Sequence, residues 1–166
     1  VHDDRSDDRF EQVALPHLGA AYNLARWLVR NPQDAEDLVQ SAVLRAYEAI
    51  GGFRGGDARA WLLAIVRNAC YTWLRRGSPE AAVFDEDIHT QGGEALNPER
   101  LALQKADVAR LHAALEKLPV EFREVLVLRE LEGFSYKEIG GIAGIPIGTV
   151  MSRLARARER LLRELQ

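Results

Sequence analysis

"FSYKEIGGIAGIPIGTVMSRLARARERLLREL", Phe134 to Leu165, decides how this chain is read. Ser135 followed three residues later by Glu138 is a capping box, and it predicts a helix start. Ile139 and Ile142 give that helix an apolar face. Ala143-Gly144-Ile145 is a short glycine-containing turn, and Pro146 or a near neighbour opens a last helix. Along it Val150, Leu154, Ala157 and Leu161 recur at spacings of four, three and four, a buried stripe. Short helix, glycine turn and second helix form a helix-turn-helix, with the small Gly140 letting the two helices approach and Val150 packing the second on the first. The last helix also carries five arginines, at 153, 156, 158, 160 and 163, in a chain of formal net charge −3.

The second helix of such a unit lies in the major groove with its N-terminal part at the base edges. Thr149, Met151, Ser152, Ala155 and Arg156 fall on the side away from Val150 and Leu154. Arginine pairs bidentately with guanine, and serine pairs with several bases. Arg153, Arg158, Arg160 and Arg163 are better placed for phosphates or solvent. Any amphipathic terminal helix can carry arginines to complement its dipole, with Glu159 and Glu164 pairing some of them. The capping box, the turn glycine and the Gly-Thr-Val start together favour DNA.

Upstream, the pattern stays helical. Val13, Leu18, Ala21, Tyr22, Leu24, Ala25, Leu28 and Val29 predict a helix over residues 10–30. Asn31-Pro32 caps the next one, with Asp34, Glu36 and Asp37 near its positive end. "GGFRGGD" interrupts, and a third helix runs from about Asp57 to Arg76. Residues 77–97 show no period and read as a flexible acidic linker. Asn97-Pro98 restarts a helix that Pro119 ends, and a short helix from Val120 to Leu131 leads to the quoted stretch. The expectation is all-α: a disordered lead (1–9), a helical domain (10–76), the linker (77–97) and a second helical domain (98–166).

The charge alternates along the chain. Residues 1–52 sum to −4, 53–76 to +4, 77–104 to −5 and 105–166 to +2. Two positive stretches can meet a polyanion that the whole-chain charge would hide. One cysteine, Cys70, excludes an internal disulfide and reads as a core residue, in keeping with a reducing compartment. No apolar run reaches the roughly 18 residues of a membrane span, and the polar N-terminus lacks the pattern of a secretory signal. His2, His17, His89 and His112 share no metal spacing, and no phosphate-cradling glycine motif occurs. The reading is therefore non-enzymatic, with no cofactor, metal or small-molecule substrate.

"ALEKLPVEFREVLVLRELEGFSYKEIGGIAGIPIGTVMSRLARARERL" resembles the C-terminal domain of an extracytoplasmic-function (ECF) sigma factor of bacterial RNA polymerase. "NPQDAEDLVQSAVLRAYEAI" and "FRGGDARAWLLAIVRNACYTWLRR" resemble the matching N-terminal domain, so the likeness runs from about Phe10 to Leu165. It implies a protein that binds the β and β′ subunits of core polymerase and directs initiation at promoters with −35 and −10 elements. By resemblance, Asp34, Asp37, Leu38 and Gln40 meet the β′ clamp coiled coil, unless the acids only complement the helix dipole. Arg67, Asn68, Trp73, Arg75 and Arg76 meet the −10 element, where rings stack on bases and arginines hold phosphates. Trp61, spaced with Leu62 and Ile65, reads as core. Arg129, Thr149, Met151, Ser152, Arg153, Ala155 and Arg156 meet the −35 element.

Thr72 stands where many members carry an acid, and Met151 and Ala155 replace longer or charged groups. Gly140 stands where alanine is common. Each glycine within a helix costs roughly 1 kcal/mol, which predicts a soft helix at Gly140-Gly141. The resemblance also implies an anti-sigma factor and a cytoplasmic protein held at the membrane only through that partner. The alternative is a stand-alone helix-turn-helix regulator, which would dimerise to read paired half-sites; no heptad run offers a dimer helix.

Overall fold

A computed structural model of the chain describes residues 4–77 and 98–166, with side chains over 4–77 and 105–166. Among the described residues every regular element is helical. Helices α1 (Asp4–Ala14), α2 (Leu18–Val29), α3 (Pro32–Ala49) and α4 (Ala58–Arg75) build a first unit. Helices α5 (Pro98–Glu116), α6 (Val120–Leu126), α7 (Tyr136–Ala143) and α8 (Ile147–Leu165) build a second. The linker expected over 77–97 lies outside the described residues except for Gly77.

Two sequence expectations change at the N-terminus. Residues 4–9 are not a disordered lead but the first turns of α1. They are held because Arg9 donates to the carbonyls of Ile50 and Phe53, Tyr47 donates its hydroxyl proton to Asp7, and Phe10 sets its ring edge-on to Tyr47. The single helix expected over 10–30 is two, separated by a 3-10 turn at Leu15–His17. Pro16 causes the break: it has no N–H to donate and its ring crowds the preceding turn.

Local chemistry sets the other ends. Asn31 accepts from the N–H groups of Gln33 (2.9 Å) and Asp34 (3.1 Å) and starts α3. Asp57 accepts from Ala60 N–H (3.1 Å) and starts α4. The apolar stripes then close the first unit: Ala21, Leu24, Ala25 and Leu28 meet Ala35 and Ala42 of α3 and Leu62, Leu63 and Val66 of α4, all buried. Alanines on facing stripes let the helices lie close. Cys70 is buried in this layer, as expected of a core residue, and its thiol is pushed up to about 12 by burial and by the nearby Glu124.

The two units do not hang apart on a tether. Their apolar cores merge, with α2 and α4 packed on α6 and α7. Arg123, almost fully buried, donates from α6 to the carbonyl of Leu28 (3.4 Å) and to those of Glu116 (3.1 Å) and Leu118 (3.0 Å). Burial and the neighbouring Arg30 lower its pKa to about 10. Trp27 of α2 stacks on His112 of α5 with ring centres 4.3 Å apart. Arg59 of α4 lies over the Phe134 ring (4.1 Å) and pairs with Glu132 (3.3 Å).

Candidate nucleic-acid interfaces

The helix-turn-helix forms as its sequence dictates. Ser135 Oγ accepts from Glu138 N–H (3.1 Å), and Glu138 Oε1 accepts from Ser135 N–H (3.0 Å), completing the capping box. Gly144 ends α7 in the left-handed conformation (φ 70°), which favours glycine. Gly140 is required for a different reason. A β-carbon there would sit 2.8 Å from the Ile145 carbonyl oxygen, so the turn closes more tightly than alanine allows. Ile145 N–H then donates to Gly140 O (3.0 Å).

Helix α8 starts at Ile147 and buries Val150, Leu154 and Ala157 against α6 and α7, while Leu161 is only half-buried. Met151, Ser152, Ala155 and Arg156 are exposed on the other side, and Thr149 and Arg153 are half-buried beside them. Arg158 pairs with Glu130 (2.9 Å), Arg163 pairs with Glu159, and Arg160 lies over the Phe122 ring (5.9 Å). Arg153 and Arg156 have no ion pair among the described residues. Arg129 donates to the Phe134 carbonyl (2.9 Å) and lies over the Tyr136 ring (4.8 Å), so it braces the entry to α7. It belongs to a π-helical turn, Val127–Leu131, that continues α6 and leads into the Gly133 bend.

The second basic stretch is arranged differently. On α4 and its C-terminal cap, Asn68, Arg75 and Arg76 are exposed and Trp73 is half-buried. Trp61 is half-buried too, tilted against Phe53 at 5.0 Å, in keeping with a packing role. Arg67 keeps a long contact to the exposed Asn68 (Nη1 to Oδ1, 3.5 Å) but makes its short ones inward. Its Nε donates to Glu124 Oε1 (2.6 Å), and its guanidinium lies 3.8 Å over the Tyr71 ring. Tyr71 donates to the other oxygen, Glu124 Oε2 (2.5 Å). Glu124 is 0% exposed. Burial opposes the charge on Arg67, but Glu124 outweighs it and raises the arginine's pKa. For Tyr71, burial and then Glu124 push the phenol upward.

On α3, Asp34 is half-buried at the capped end, Asp37 accepts from Gln33 Nε2 (3.2 Å), Leu38 is half-buried and Gln40 is exposed. Leu44, one turn beyond Gln40 on the same face, is 66% exposed. Leu44 falls outside the apolar stripe of this helix, and the sequence pattern assigns it no role. Glu124 is not singled out by sequence either: in "EFREVL" an acid next to Arg123 and three residues after Glu121 looks solvated, and only the tertiary partners Arg67 and Tyr71 reveal its place.

Two packed helical units, one ending in a helix-turn-helix whose second helix holds Arg153 and Arg156 without an ion pair among the described residues, define the class: an all-α helix-turn-helix protein. The particular family follows from the comparisons. Residues 14–79 match the family described as Sigma-70 region 2, and residues 109–161 match Sigma-70, region 4. The ECF RNA polymerase sigma factor SigE of Mycolicibacterium smegmatis is 36% identical over 153 residues, 92% of this chain and 60% of that protein. The RNA polymerase sigma-H factor of Pseudomonas aeruginosa is 37% identical over 172 residues, 98% of this chain and 89% of that one. The structure of the sigma factor RpoE in complex with the anti-sigma factor NepR from Bartonella quintana matches with a TM-score of 0.73 and 34% identity, covering 94% of this chain and 96% of that chain. The chain belongs to the ECF sigma factors of the sigma-70 family.

Proposed function

We propose that this protein binds core RNA polymerase and directs initiation at promoters with paired −35 and −10 elements, under the control of an anti-sigma factor. The observation that carries this reading is the order of the two sigma regions on two helical units, with α8 turning its uncommitted arginines outward. In this reading Asp34, Asp37, Leu38 and Gln40 of α3 meet the β′ clamp, joined by the exposed Leu44 on the same face. Asn68, Trp73, Arg75 and Arg76 of α4 meet the −10 element, and Arg67 joins them once it leaves Glu124. Helix α8 reads the −35 duplex with Thr149, Met151, Ser152, Ala155 and Arg156, while Arg153 and Arg129 lie towards phosphates.

The polymerase performs the chemistry, and this chain supplies specificity. Control by an anti-sigma factor is supported by the likeness to a sigma factor captured with one. No helix among the described residues is long and apolar enough to cross a membrane. In the proposed reading the protein works in the cytoplasm, where core polymerase is, and meets the membrane through its anti-sigma factor. The test mixes the purified chain with bacterial core polymerase. Co-elution with new run-off transcripts from a pool of promoter fragments is the expected result. A folded, inhibitor-free chain that fails to bind active core overturns the reading.

A further inference from the structure

The first turns of α8 present two neighbouring rows at i, i+4 spacing: Ile147, Met151 and Ala155 in one, and Gly148, Ser152 and Arg156 in the other. All six residues are exposed, Ile147 at 47% and Met151 at 53%. Ile147 continues the register of the core stripe (Val150, Leu154, Ala157) at the helix start but stays 47% exposed, and Met151 and Ala155 lead the row away from that stripe. From Ile147 to Arg158 the helix carries no carboxylate, and Arg153 and Arg156 have no ion pair among the described residues. This face therefore suits a polyanion, and a polyanion that also offers apolar groups.

Duplex DNA meets both demands in the major groove. The thymine C5-methyl is the one apolar group on the base edges there. Methionine, unbranched and soft, fits such a small and irregular apolar target. We propose that the Ile147-Met151-Ala155 row reads thymine methyl groups, while Ser152 and Arg156 read the polar edges beside them. The upstream element of this protein's promoters then carries thymine next to a guanine bound by Arg156. The inference rests on the sigma-factor reading and names what its recognition helix selects. Cationic flanks without a carboxylate commit the row to DNA rather than to an apolar polymerase surface.

The experiment uses the full chain with core polymerase to select promoters from a pool randomised in the upstream element. Thymines in the selected element are then replaced one at a time by deoxyuridine, which removes only the methyl group. At least one replacement is expected to weaken holoenzyme binding about fourfold. Met151→Ala is expected to weaken binding to the thymine duplex and to make that replacement silent. Promoter-directed initiation with every uracil replacement silent overturns the inference and leaves the sigma reading standing. So do Met151→Ala and Ile147→Ala variants that still form holoenzyme and both keep the full uracil sensitivity. Absence of any promoter-directed initiation overturns both.

Discussion

Helices α4 and α8 are both offered to DNA by the sequence, and the fold treats them in opposite ways. The stretch around α4, residues 53–76, sums to +4, and α8 carries five arginines. On α8 the outward face is open, with Arg156 exposed and unpaired by any described acid. On α4 the arginine deepest in the helix, Arg67, is folded onto a fully buried glutamate of the other unit. Charge read from sequence says which helix can meet a polyanion. Tertiary packing says which one is available while the two units are closed on each other.

The strongest way to break the comparison is to remove Glu124. Its carboxylate satisfies both Arg67 and Tyr71 at the junction of the units. Deleting one partner of a buried pair costs about 3 kcal/mol. The junction can open instead of the chain unfolding, so Glu124→Ala should shift the closed-to-open ratio by about a hundredfold. Energy transfer between dyes at Glu48→Cys and Gln166→Cys should fall, and Glu124→Gln should lie between, because it keeps an acceptor for Tyr71 and loses the charge. Unchanged transfer in Glu124→Ala would mean that the latch does not hold the units together.

Side-by-side arginine substitutions sharpen the contrast. Arg156→Ala should weaken binding of the free chain to an upstream-element duplex by about 2 kcal/mol. Arg67→Ala should leave that binding unchanged and should impair promoter opening only in the presence of core polymerase. Equal losses in the free chain would show that Arg67 is already available to DNA.

Much of α8 was legible in the sequence because its determinants are local. The capping box, the turn glycine and the stripe of Val150, Leu154 and Ala157 each act within a few residues, and all three stand in the structure. The exposure of Ile147 was not legible, since a helix start at Pro146 or a neighbour leaves the direction of the first side chain open. The closing of the two units was also hidden. It depends on Arg67 and Glu124, Arg59 and Phe134, and Trp27 and His112, pairs far apart in the chain in which at least one member is polar or charged and carries no local sign of its partner. Residues 4–9 were misread for the same reason: their anchors, Tyr47, Ile50 and Phe53, lie some forty residues away.

The adjacent glycines of α7 separate tight packing from softness. Gly140→Ala forces a β-carbon against the Ile145 carbonyl oxygen, 2.8 Å away, and should cost about 1–2 kcal/mol by shifting the turn that seats α8. Its effect should appear as lower thermal stability and weaker upstream-duplex binding, with the α4 surface unaffected. Gly141 has open space around it, so Gly141→Ala should stabilise the chain by roughly 0.5–1 kcal/mol through helix propensity and a stiffer unfolded state. Similar thermal shifts in the two variants would remove the tight turn from the account of how α8 is held.

The smallest expected effect is a pH dependence of closure through His112. Its ring stacks on Trp27 across the junction, its Nδ1 lies 3.3 Å from Glu116, and Arg26 is nearby. Burial, helped by Arg26 and opposed by Glu116, lowers its pKa below the ordinary 6.5. A histidine depressed in the closed state binds protons more readily when the junction is open. Closure is therefore undiminished above pH 6.5 and weakens as the pH falls through that value towards the lower, closed-state one. The ring is partly exposed, so water and salt reduce the effect. Between about pH 8 and about pH 5.5, energy transfer between the two dyes should decline modestly, and His112→Gln should flatten that decline while Glu124→Ala lowers the whole curve. A decline that survives His112→Gln unchanged would assign the proton to another group at the junction.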